Sequence, residues 1–155
     1  MTNDVAANVP LPFDLPVLIG HLNITDPLAL VIRAHLYVEA ILIRHIETVV
    51  VNREQFDSAK LPFRTKIELA VAIGRVDPAD VGALNALNSL RNRFAHKLGT
   101  LLQEQDESKL YNALSERQRR FVNASRTPLL DYMGRLRCDL VGLVIATNED
   151  FVASH

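Results

Sequence analysis

The sequence DPADVGALNALNSLRNRFAHKLG, residues 77–99, decides the fold class of this chain. Asp77 followed by Pro78 is typical of a helix start, because the carboxylate caps free N–H groups and proline fits the first turn. Apolar side chains then recur every three or four residues until Gly99 ends the pattern. The stretch predicts one amphipathic helix that carries Arg91 and His96 close to its C-terminal end.

The same signals recur along the chain. Asp26-Pro27 and Thr127-Pro128 are further cap-and-proline starts, and Gly74 is a further glycine stop. The apolar runs lack the period-two alternation of strands, and neither an internal repeat nor a low-complexity tract is visible. We therefore predict an all-α, single-domain bundle of four to five helices, the other helices covering residues 28–50, 63–73, 107–122 and 129–146.

Three segments follow from this pattern. Residues 1–25 contain Pro10, Pro12 and Pro16, which favour an irregular N-terminal arm. Residues 26–148 form the helical bundle, and residues 149–155 form a polar tail. A length of 155 residues suits one hydrophobic core.

The composition excludes several classes of protein. Cys138 is the only cysteine, so neither an intrachain disulfide nor a multi-cysteine zinc site can form. The N-terminal sequence lacks the features of a secretory signal, and no apolar run is long enough to span a membrane. We expect a cytoplasmic protein without a cofactor or a bound metal. The net charge of −1 offers nucleic acid no overall attraction, so such binding would need a local patch.

Arginine is the dominant basic residue, since 13 of the 17 basic side chains are arginines. Its planar guanidinium suits phosphate and carboxylate oxygens. Arg93, Arg117, Arg119 and Arg120 are therefore candidates for contacts with an RNA backbone. A solvated face, with Glu116 beside the arginines, is the alternative interpretation.

Two other positions invite a chemical interpretation. His35 and Glu39 lie four residues apart on the first long helix, where they could ligate a metal or relay a proton. Because no third ligand is evident, a hydrogen-bonded side-chain pair is the preferred interpretation. Cys138 has no evident histidine partner, which favours packing over a role as nucleophile.

Arg91, Asn92 and His96 offer the chemistry of metal-free RNA cleavage. That reaction needs a base for the 2′-hydroxyl proton, an acid for the leaving oxygen and a fixed cation for the charge on phosphorus. Histidine serves either proton role, and arginine binds phosphate through two N–H groups. The spacing of Arg91 and His96 is common by chance, so its context must supply the specificity.

Residues 61–99 supply that context. The runs FRTKIELAVAIG (63–74) and LNALNSLRNRFAHK (84–97), joined through Asp77-Pro78, resemble the mannitol operon repressor family and its relatives in the higher-eukaryote-and-prokaryote nucleotide-binding (HEPN) superfamily. The resemblance implies a bundle of four or five helices that is often dimeric. In the ribonuclease members of the superfamily, an arginine, a polar neighbour and a histidine line a cleft between two protomers. On this chain they correspond to Arg91, Asn92 and His96.

The resemblance leaves two functions open. The first is a metal-independent endoribonuclease or RNA-binding effector that works as a homodimer, because one chain presents an incomplete site and a two-fold dimer brings two copies of His96 and Arg91 together. The alternative is a non-catalytic regulator of the mannitol-repressor kind, which binds a partner protein. An antitoxin is a further expected partner. Leu98 stands where toxin-type members often carry a tyrosine, which argues against neutralisation by adenylylation.

Overall fold

The computed structural model describes residues 14–97 and 99–149, and all regular secondary structure in this part of the chain is helical. Two 3₁₀ turns, Ser58–Lys60 and Pro78–Asp80, accompany the α-helices. The α-helices are α1 (Leu15–Leu22), α2 (Pro27–Glu47), α3 (Phe63–Ala72), α4 (Val81–His96), α5 (Glu104–Ala113), α6 (Glu116–Asn123) and α7 (Tyr132–Asn148). The predicted all-α class is confirmed, whereas the predicted number of four to five helices is too low for the described residues.

The N-terminal arm was predicted to be irregular, and α1 corrects that prediction for its second half. Pro16 lies in the first turn of α1, where a missing N–H group breaks no helical hydrogen bond. Leu18 and Leu22 are fully buried and attach α1 to the core. Residues 1–13 and 150–155, which include most of the predicted polar tail, lie outside the described part.

The C-terminal half also departs from the prediction. The helix predicted over 107–122 is two helices, because the chain turns at Leu114 and Ser115 caps α6 by accepting a hydrogen bond from the Gln118 N–H. The last helix starts later than predicted. Thr127 closes a turn by accepting from the Leu130 N–H, and Asp131 caps α7 through the Gly134 N–H at 2.8 Å.

Helix α2 lies at the centre of the bundle and packs against α1, α3, α4 and α7. Asp26 caps it by accepting from the Leu28 N–H at 3.1 Å, as the cap-and-proline signal predicts. Its inward face is aliphatic, and burial of such side chains is worth about 1.5–3 kcal/mol each. The fully buried members on α2 are Leu30, Val31, Ala34, Val38 and Leu42.

Helices α6 and α7 approach each other closely at Gly142. A Cβ atom at this position would lie 2.5 Å from Val122 Cγ2 and 2.7 Å from Val122 Cα and N. Because the obstacle includes backbone atoms, α6 would have to move to admit a side chain. Glycine is therefore required here by proximity and not by backbone conformation.

We expect Gly142→Ala to destabilise the fold by roughly 1–3 kcal/mol or more, the range for overpacking a tight interior. Gly82→Ala on α4 is the matched control, since its Cβ would meet only the Ala113 carbonyl oxygen at 3.5 Å. That variant should be neutral or slightly stabilising, because alanine restricts the unfolded chain more than glycine does. Urea unfolding measures both, and equal stabilities for the two variants would contradict the close contact.

A buried charge network joins α7 to α5. Asp139 is fully buried and Glu107 is 1% exposed, with Arg126 and Arg135 both bound to Glu107 at 3.0–3.2 Å. Burial, together with the hydrogen bond to Glu107 and its negative charge, raises the pKa of Asp139 to about 9. Burial alone would raise the pKa of Glu107 as well, but the hydrogen bonds from Asp139 and Arg135 and the Arg126 charge hold it below its usual value. Asp139 therefore stays protonated at neutral pH and donates to the Glu107 carboxylate.

This proton makes the stability of the fold depend on pH. The unfolded chain releases the Asp139 proton near pH 4 and the folded chain keeps it to about pH 9, so folding takes up a proton between these values. The contribution of Asp139 to the free energy of unfolding falls as pH rises through this window, by at most about 1.4 kcal/mol per pH unit.

Asp139→Asn should therefore flatten the pH dependence between pH 5 and 8 and should be more stable than the wild type at pH 8. The introduced amide can donate a hydrogen bond to Glu107 at every pH, and folding of the variant takes up no proton at this position. Denaturant unfolding at several pH values is the measurement, with Asp14→Asn as the control because Asp14 is exposed. An unchanged slope in Asp139→Asn would show that Asp139 is ionised in the folded protein.

Candidate functional site at the end of helix α4

The last turn and a half of α4 carries the three residues predicted to be catalytic. His96 is the final helical residue and its side chain is exposed, whereas Arg91 and Asn92 are half-buried. The Arg91 guanidinium donates from Nη1 to Asn92 Oδ1 at 3.2 Å. On a regular helix Asn92 and His96 share one side, and Arg91 is turned about 140° from His96 with a rise of about 7.5 Å between them. A single chain therefore does not direct Arg91 and His96 to the same point.

No carboxylate among the described residues pairs with Arg91. An arginine that served only the structure would commonly be held by an acidic partner, as several others in this chain are. Arg91 instead retains free N–H donors next to the exposed end of α4. This arrangement leaves its charge available to an anionic ligand.

Helices α2 and α3 contribute a polar cluster beside Arg91. His35 on α2 donates from Nε2 to Asn88 Oδ1 on α4 at 3.1 Å, and its ring stacks on Phe63 of α3 with centroids 4.1 Å apart. Asn88 precedes Asn92 by one helical turn. The cluster therefore links the C-terminal half of α4 to α2 next to the candidate site.

Glu39 and Lys66 form the second part of this cluster. Lys66 is only 2% exposed; its Nζ lies 3.2 Å from Glu39 Oε2 and donates to the Ala59 carbonyl oxygen. His35 and Glu39 thus bind other helices and not each other, which corrects the preferred pairing between them. No local pattern indicates this, because a lysine between apolar residues on α3 suggests a solvated position.

The pKa of His35 depends in part on the charge of Arg91. Burial lowers the pKa of His35 below 6.5, the Asn88 hydrogen bond and Glu39 oppose that shift, and the positive charges of Arg91 and Lys66 reinforce it. The imidazole is therefore neutral at pH 7. Its contribution to stability is present above pH 6.5 and is lost as the pH falls through its lowered pKa.

We expect Arg91→Ala to raise the pKa of His35, because the substitution removes a nearby positive charge. The NMR chemical shift of the His35 ring, followed from pH 4 to pH 8, measures it. Arg64→Ala is the control, since the Arg64 side chain is 78% exposed and pairs with Glu68 on α3. Equal midpoints in wild type and Arg91→Ala would mean that the two side chains do not sense each other.

The four arginines predicted to bind RNA have different partners in the structure. Arg117 is used internally, since it donates to Asp80 Oδ2 and to the Ala146 carbonyl oxygen at 2.8 Å each. Arg119 donates to the carbonyl oxygens of Tyr111 and Asn112 at the end of α5. Arg120 is exposed. The alternative of a solvated face also fails for Arg117 and Arg119, because both act as ties between helices.

Arg93 lies on α4 within the candidate site. Its Nη2 is 2.7 Å from Asp106 Oδ2, and the side chain remains 36% exposed. Among the residues predicted to bind RNA, Arg93 is thus the one that shares a helix with His96.

Other kinds of site find little support in the described residues. No group of three or more histidine, cysteine, aspartate or glutamate side chains is arranged to hold a metal ion in residues 14–97 and 99–149. Within the same ranges, no helix combines the length and the apolar character needed to cross a bilayer. Cys138 is half-buried on α7.

Three comparisons with known proteins find no match. No protein-family model matches the chain, and no match is found among curated proteins or among solved structures. The geometry of α4 and of the residues that surround it is therefore the basis for inferring a function.

Proposed function

We propose that this protein is a metal-independent endoribonuclease of the HEPN type that acts as a homodimer through Arg91, Asn92 and His96. One observation carries the proposal. The imidazole of His96 is exposed at the end of α4, and the guanidinium one and a half turns earlier pairs with no carboxylate among the described residues. An exposed proton donor or acceptor and an uncommitted cation are the groups that cleavage of a phosphodiester requires.

The proposed reaction uses two copies of His96 across a two-fold axis. One imidazole removes the proton of a ribose 2′-hydroxyl, and the 2′-oxygen attacks the adjacent phosphorus. The other, protonated, imidazole donates its proton to the departing 5′-oxygen. The products are a 2′,3′-cyclic phosphate and a 5′-hydroxyl end, and Arg91 stabilises the negative charge on the phosphate oxygens.

Asn92 has a positioning role in this scheme. Its side-chain oxygen accepts from Arg91 Nη1, which fixes one edge of the guanidinium. The half-buried setting of both residues limits their rotamers, so the remaining N–H donors are presented in one direction. The His35–Asn88 hydrogen bond holds the preceding turn of α4 on the same face as Asn92.

We expect purified protein to cleave mixed RNA in the presence of EDTA. His96→Ala should lower the rate by about 10²–10⁴, the range for loss of a general acid or base. Arg91→Ala should lower it by about 10²–10³, and Arg91→Lys by less, because lysine keeps the charge but not the planar donors. The assay follows both the loss of intact RNA and the appearance of 2′,3′-cyclic phosphate ends.

Arg64→Ala and His21→Ala are the matched controls, since both side chains are exposed and lie on other helices. Both should cleave at the wild-type rate. Heterodimers of wild-type and His96→Ala chains should be inactive if two imidazoles serve one cleavage. RNA that stays intact with the wild-type protein would overturn the proposal and leave the non-catalytic regulator.

A further inference from the structure

Helices α4 and α5 border an open surface groove of about 230 Å³, and Ala86, Ser89, Leu90 and Arg93 are its lining residues on α4. Its floor is apolar, formed by Leu90 and Leu110, which are 7% and 1% exposed. Polar and charged groups line the rest of it: Ser89, Arg93, Asp106 and Lys109. A groove with an apolar floor and with two cations and one carboxylate in its walls suits a ligand that carries both an uncharged ring and an anionic group.

Two cations face this groove in different ways. Arg93 is fixed by Asp106 at 2.7 Å, and since its Nε and Nη2 are buried, Nη1 is the guanidinium nitrogen that reaches solvent. The Asp106 carboxylate is further held by the Gln103 N–H at 2.8 Å. Lys109 on α5 is exposed. Arg93 therefore presents a pre-oriented donor and Lys109 a mobile charge, and together they exceed the single negative charge of Asp106.

The groove and His96 lie on the same side of α4. Ser89 and His96 are seven residues apart, which is close to two full turns and a rise of about 10.5 Å. Stacked nucleotides advance about 3.4 Å each along one strand. The distance from Ser89 to His96 thus accommodates roughly three nucleotides.

We propose that the groove between α4 and α5 holds single-stranded RNA next to the cleavage point, with Arg93 and Lys109 on its phosphates and Leu90 and Leu110 under a base or ribose. The inference rests on the proposed ribonuclease function and names the path of its substrate. Because the floor offers no hydrogen-bonding groups to base edges, the groove accepts RNA without strong sequence preference. The path leaves α6, with Arg117, Arg119 and Arg120, outside the substrate contact.

The test combines binding and cleavage. Binding uses a fluorescent 2′-O-methyl RNA 10-mer, which cannot form the cyclic phosphate, and cleavage uses unmodified RNA of the same sequence in EDTA. Lys109→Glu should weaken binding of the 10-mer at least about 10-fold. Lys109→Ala should lower the slope of log Kd against log salt concentration by about the amount expected for the loss of one phosphate contact. In the cleavage assay Lys109→Ala should raise KM and leave kcat close to the wild-type value.

Two further variants complete the design. Ser89→Glu places a negative charge in the groove at an exposed helical position and should also weaken binding. Lys60→Glu is the control for charge, because Lys60 is exposed and lies on the turn before α3. Circular dichroism checks that every variant retains its helix content.

The outcomes separate the two proposals. If the wild type cleaves RNA and Lys109→Glu behaves like Lys60→Glu in both assays, the groove is not the substrate path and the ribonuclease stands. If the wild type binds the 10-mer through Lys109 but leaves unmodified RNA intact, the groove stands as an RNA site and the ribonuclease falls. If the wild type neither binds nor cleaves, both are overturned.

Discussion

One face of α7 holds the second half of the bundle together. Asp139 and Gly142 lie one turn apart on it, and each solves a different problem of close packing. Gly142 removes the side chain that would separate α7 from Val122 on α6. Asp139 is protonated in the folded protein at neutral pH, so no second negative charge lies beside Glu107. Asp139 thus contributes to the contact between α7 and α5, and Gly142 permits the close approach of α7 to α6.

The candidate site depends on this arrangement through α4, which is fixed at three levels. At its start, Asp80 accepts hydrogen bonds from Ser115 and Arg117 of the α6 region. At its middle, Asn88 binds His35 of α2, and near its end Arg93 binds Asp106 of α5. A helix held at three levels keeps its last turn in a defined direction. Rigid presentation of Arg91 and His96 would lower the entropy lost on binding of a ligand at this end of α4.

The arginine content of the chain is explained mainly by structure. Guanidinium groups satisfy carbonyl oxygens that helix ends leave without partners, as Arg137 does for Leu22 and Ile24 after α1 and Arg119 does at the end of α5. Five N–H donors on one rigid plane make arginine suited to this task. A count of arginines therefore predicts little about RNA binding. Basic side chains that remain exposed and take no part in such contacts, such as Lys109, are the better candidates for binding a ligand.

Local sequence signals were enough to predict the all-α class, the start of α2 at Asp26-Pro27 and the helix that ends at His96, because caps, prolines and apolar periodicity act over a few neighbouring residues. The other features depend on contacts between residues far apart in the chain. Pro16 opens a helix only because Leu18 and Leu22 find a buried face, and the turn at Ser115 exists because that residue also binds Asp80. His35 and Asn88 lie 53 positions apart. Whether a polar side chain ends in solvent, in an ion pair or at a site depends on such distant partners, which local patterns do not encode.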